Sequence, residues 1–217
     1  MNELDYKKIS EIINNIINCH KDLRKVIDTS TEDIKHAIYL LQGGSLNSLI
    51  FAYDFNKQGY TLPLMQQYRM ILETVELIIY FDELKDNSRQ IKAFFRGKTI
   101  ERHSGSSGNP TIEERIKSSG LTEEQLCRND ELCKKLVNIS SNYMYSTIES
   151  IRGGNLLKRS YIFDYQREYV PKPYFPSMLF NNLFLRPVIQ GFLIPIRTLP
   201  LNKSCFSILS DFLDKYK

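Results

Sequence analysis

The chain has 217 residues, 42% hydrophobic and 25% charged, with a formal net charge of +4 at pH 7. These proportions exclude a disordered tail or a small disulfide-stapled scaffold and leave room for one substantial core. The charge is uneven: residues 1–130 hold 17 basic and 19 acidic groups and residues 131–217 hold 12 and 6, so the last third can meet phosphates or an acidic partner.

In chain order, Leu4, Ile9, Ile12, Ile13, Ile16, Leu23 and Ile27 recur at three- and four-residue steps and predict a first helix over 4–27. The acidic groups in this opening segment are unlike a secretory signal, and a cytoplasmic protein is expected. Thr29 and Glu32 have capping-box spacing, opening a second helix through Ile34, Ile38, Leu41, Ile50 and Tyr53, with Gly43-Gly44 as a candidate break and Gly59 as the end. Pro63 suits the first turn of a third helix, which Leu64, Tyr68, Ile71, Leu72, Val75, Ile78 and Ile79 carry to about Phe81.

A shorter helix is expected from about Ser88 to Arg102, then a mobile loop at 103–110, His-Ser-Gly-Ser-Ser-Gly-Asn-Pro. Thr111 with Glu114 and Thr122 with Gln125 offer two more capping boxes. A long apolar stripe runs from Asp130 to Ile151, and Gly153-Gly154 closes it. Residues 155–176 hold Tyr161-Ile-Phe-Asp-Tyr165 and Pro171, Pro173 and Pro176, which predict an irregular aromatic arm. Two closing helices follow, at about 177–198 and 203–215. No repeat or second composition regime appears, so the expected architecture is all-α: residues 1–217 as a single-domain bundle of six to eight helices, with the 155–176 arm as an insertion.

Met178 to Leu199 is the most apolar stretch, but Asn181, Asn182, Arg186, Pro187, Gln190, Pro195 and Arg197 interrupt it, and no membrane contact is expected. Cys19, Cys127, Cys133 and Cys205 form no C-x-x-C pair, and His20, His36 and His103 are scattered, so free thiols and no metal are expected. Phosphate loops, nucleophile elbows and H-E-x-x-H pairs are absent from the sequence, and no cofactor is expected.

Three features carry candidate chemistry. On the third helix Gln66, Arg69, Glu73, Glu76 and Tyr80 share one face, where Arg69 and Glu73 form either a solvated ion pair or the wall of an anion-binding groove. Arg89, Lys92 and Arg96 form a basic stripe on the fourth, with Phe94 and Phe95 among them, which can contact a polyanion or remain a solvated face. His103, beside Glu101 and Arg102, is a lone candidate for proton transfer.

The runs Phe55-Asn-Lys-Gln-Gly-Tyr60, Leu64-Met-Gln-Gln-Tyr-Arg69-Met-Ile-Leu-Glu73 and Val137-Asn-Ile-Ser140-Ser-Asn-Tyr143-Met-Tyr145-Ser146 resemble an all-helical family of bacterial proteins of uncharacterised function. That family is loosely similar to HEPN-type domains of toxin and antiviral systems, whose active members cut RNA with an Arg-x(4 to 6)-His motif. On the matched later helix Tyr145 stands where the family carries histidine, and no arginine is expected to precede a histidine at the motif's spacing. The resemblance thus implies a pocket of Arg69, Glu73, Ser140 and Tyr145 and a non-catalytic module that binds RNA or a protein partner, with self-association also open. The alternatives are a divergent metal-independent endoribonuclease and a sensor of small anionic ligands.

Overall fold

The computed structural model describes residues 5–84, 89–98 and 173–216, without the side chains of residues 61 and 62. Helix α1 spans Tyr6–Arg24, and the Asp5 carboxylate caps it by accepting the Lys8 N–H at 2.8 Å. Its buried face, Ile9, Ile13, Ile16, Cys19 and Leu23, follows the predicted period. Helix α2 spans Ile34–Gln58 and is capped by Asp33, which accepts from the His36 N–H at 2.8 Å. The expected Thr29/Glu32 start is corrected: the Asp28 carboxylate takes the Ser30 N–H at 2.9 Å, bending residues 28–30 into a turn. Gly43-Gly44 does not break α2 either: Leu41 and Gln42 before the pair and Ser45, Leu46, Ser48 and Leu49 after it carry one continuous buried surface.

Gly59, at φ 77°, ends α2 in the left-handed conformation that favours glycine, and one residue later α3 begins, spanning Thr61–Asp82. That short connection folds α2 and α3 into a helical hairpin. Helix α4, Arg89–Phe95, stops short of the expected Arg102. Gly97 adopts φ +67°, its N–H donates to the Phe94 carbonyl at 2.9 Å and the Lys98 N–H donates to the Ala93 carbonyl at 2.9 Å, the paired closure of a Schellman cap.

The chain is next described at Pro173. Residues 173–176 are non-helical, and the rest of the 155–176 arm lies outside the described residues, as do the 103–110 loop and the 130–151 stripe. Helix α5 runs over Ser177–Arg197 and kinks at Pro195, whose φ −81° and ψ 28° leave the helical region. Its winding changes along the way, α over Ser177–Phe180, π over Asn181–Leu185, α over Arg186–Leu193 and 3₁₀ over Ile194–Arg197. The Arg186 N–H reaches five residues back to the Asn181 carbonyl. Pro187 has no N–H to give, so the wide turn just ahead of it lets the helix continue past a residue that would otherwise break its ladder. Helix α6, Lys203–Lys215, starts at Asn202, whose side chain accepts the Cys205 N–H at 2.8 Å.

These six helices are the only regular elements among the described residues, which include no strand. Helix α5 packs against α2, α3 and α6, and α6 returns to α1. Phe180, Phe184, Val188 and Phe192 are fully buried, and the Phe180 and Phe184 rings stack at 4.9 Å. Gly191 permits the close α3 approach, since a Cβ there would lie 3.3 Å from Ile78 Cδ1, and the Gln42 amide donates to the Gly191 carbonyl at 3.1 Å. By length and composition α5 could cross a membrane, but 61% of it is buried within the fold, as in a core helix.

Candidate nucleic-acid interface and the Arg69 face

On α4 the helical period separates two kinds of residue. Ile91 is fully buried, Phe94 meets Phe81 of α3 edge-on at 5.4 Å, and the Phe95 ring lies 5.0 Å from His36 at the start of α2. Both phenylalanines therefore anchor the helix. Arg89, Lys92 and Arg96 are exposed, and so is Lys98 just past the cap. Residues 89–98 thus present four cations with no acidic residue among them. Like charges spaced three and four residues apart repel by about 0.2–0.5 kcal/mol per pair, a cost that an anion lying across them removes.

The α3 face changes character along its length, between the two alternatives its sequence left open. Gln66 is exposed, and the Arg69 Nε donates to Glu73 Oε1 at 2.6 Å, with the two side chains 32% and 42% accessible. One turn further, Glu76 and Tyr80 are each only 4% accessible, so the face dips into the core rather than staying solvated. The Arg69 guanidinium already has a carboxylate partner on its own helix. Ser140 and Tyr145, the other two members of the proposed pocket, lie outside the described residues, as does His103.

The expected absence of any Arg-x(4 to 6)-His spacing is corrected: Arg96 and His103 are separated by Gly97-Lys-Thr-Ile-Glu-Arg102, six residues. Its arginine belongs to the basic stripe.

Two polar devices take partners far along the chain, Asn56 with no sequence signal and His20 signalled only by its place at the edge of the apolar stripe between Ile16 and Leu23. Asn56, fully buried near the end of α2, holds the Phe175 backbone through both ends of its amide, and its own carbonyl accepts the Tyr174 N–H at 2.9 Å. His20 stacks on Tyr39 at 4.2 Å and 3° between planes, with Nε2 3.1 Å from the Tyr39 carbonyl. Burial lowers its pKa, partly offset by that carbonyl, so the ring is neutral at pH 7 and Nε2–H donates. His36 Nδ1 lies 2.7 Å from the Thr31 carbonyl, and among the described residues no three His, Cys, Asp or Glu side chains gather as a metal site.

No family model, curated protein or solved structure matches this chain.

Proposed function

We propose that the whole chain is one helical bundle of six to eight helices that serves as a binding module, contacting RNA through the α4 stripe of Arg89, Lys92 and Arg96. The observation that carries the reading is the unbalanced run of four exposed cations at 89–98, along a helix and its C-terminal cap, with the helix fixed from behind by Ile91, Phe94 and Phe95. A stripe held in this way offers phosphates a pre-ordered row of donors, and its mutual repulsion is relieved on binding.

The test is anisotropy of a labelled single-stranded RNA titrated with protein at several salt concentrations. Affinity is expected to fall steeply with salt, and each of R89A, K92A and R96A should lessen the slope of log K against log salt by about 0.7. Absence of binding at low salt, or slopes unchanged in all three variants, overturns the reading.

A second reading, metal-independent RNA cleavage, is favoured by one observation, the Arg96-x6-His103 spacing. Loss of intact RNA in the presence of chelator, abolished by His103→Ala while binding persists, would select it. Retained full-length RNA leaves the binding module.

A further inference from the structure

We propose that Cys19 and Cys205 form a dithiol–disulfide site, closing to an intramolecular disulfide on reaction with a low-molecular-weight disulfide or a peroxide and so tying α6 to α1. Both thiols are free, and both are buried in the same core. Their pairing follows from the register of the two helices. The Asn202 amide donates to Asp22 Oδ2 at 3.1 Å and fixes the start of α6 beside the end of α1. One turn back along α1 from Asp22 is Cys19, and one turn forward along α6 from Asn202 is Cys205. The next turn on each helix brings Ile16 and Leu209, both fully buried. The helices therefore run antiparallel here with the two thiols opposed, near enough for Cys205 to influence the Cys19 thiol.

Burial, and then the neighbouring Cys205 thiol, push the Cys19 pKa up and keep the sulfur protonated. Since the thiolate is the attacking species, reaction is slow in the closed structure and proceeds when helix α6 opens locally. With a small disulfide, one protein thiolate displaces a small thiol and forms a mixed disulfide. The second protein thiolate then attacks the protein sulfur of that bond and releases the other small thiol, and both protons leave to solvent or the departing thiolates. With hydrogen peroxide, one thiol becomes a sulfenic acid with release of water, and condensation with the second releases another water. The bond closes a loop over most of the chain, so its main effect is to restrict the unfolded state.

The full chain is incubated with oxidised glutathione and, separately, with hydrogen peroxide, then alkylated and mapped by peptide mass spectrometry. A Cys19–Cys205 linked peptide is expected, with a rise in Tm of roughly 5 °C or more that dithiothreitol reverses. Cys19→Ala and Cys205→Ala should each lose both the linked peptide and the rise. Recovery of Cys19 and Cys205 as alkylated thiols, as separate mixed disulfides, or joined to Cys127 or Cys133 overturns the proposal. Mapping of the unaltered chain decides the matter even where a variant fails to fold.

Discussion

Asn56 and the backbone of Phe175 meet as an amide pair, Oδ1 accepting the Phe175 N–H at 2.7 Å while Nδ2 donates to the Phe175 carbonyl at 3.2 Å. Nδ2 also donates to the Tyr6 hydroxyl at 2.6 Å, and that hydroxyl in turn donates to the Phe175 carbonyl. Three segments distant in sequence, the start of α1, the end of α2 and the entry to α5, are thereby joined through one side chain. Burial raises the pKa of the Tyr6 hydroxyl and keeps it a donor, against the smaller effect of its bond with Asn56.

Asn56→Ala leaves the buried Phe175 N–H without an acceptor and is expected to cost about 2–4 kcal/mol in urea unfolding. Asn47→Ala, at an exposed position on the same helix, should stay within about 0.5 kcal/mol of the parent. Equal effects of the two would show that the amide pair contributes nothing.

The buried His20 sets a pH dependence. Burial lowers its folded pKa below the ordinary 6.5, so the unfolded chain takes up the proton first as pH falls. The contribution of the neutral ring is therefore full above pH 6.5 and is lost as pH drops from there through the folded pKa. Urea midpoints at pH 7.5, 6.0 and 5.0 should decline less in His20→Gln than in the parent; parallel declines would remove His20 from the account.

The two central glycines of α2 should part company. A Cβ at Gly44 would meet nothing within 4 Å, so Gly44→Ala is expected to stabilise by roughly 0.5–1 kcal/mol through helix propensity. A Cβ at Gly43 would lie 3.1 Å from His20 Cε1, so Gly43→Ala must move the stacked ring and should gain less or lose stability. Thermal melts of the two variants read the difference directly, and a Gly43→Ala gain as large as that of Gly44→Ala would mean the ring yields freely.

A double-mutant cycle on Arg69→Ala and Glu73→Ala should return a coupling of about 0.3–0.5 kcal/mol that shrinks in high salt, as expected for a half-exposed pair one turn apart. A salt-insensitive coupling near 2 kcal/mol would instead describe a desolvated site and revive the groove.

The helices were legible where one apolar face runs long enough to repeat. Ile9, Ile13, Ile16 and Leu23 marked α1, and Leu64 to Ile79 marked α3, because burial on one side enforces the period. Boundaries were less so: Asp33 outcompetes Thr29 as a cap, and Gly97 stops α4 before Arg102. The α4 stripe was readable from spacing alone, since exposed cations need only share a face. The run through Glu76 and Tyr80 stayed open between a solvated face and a groove, because a polar side chain gives no sign of the neighbouring helix that will cover it. Asn56, His20 and the Cys19–Cys205 pair draw their meaning from residues far along the chain, which no local pattern encodes.

Ribosomal synthesis gives α5 a place in time as well as in space. The surfaces of α2 and α3 that receive Phe180, Phe184, Val188 and Phe192 are made first, and the local α2–α3 hairpin can form long before residues 177–197 emerge. A chain halted before that point holds the hairpin without the Phe180, Phe184, Val188 and Phe192 side chains that complete its core.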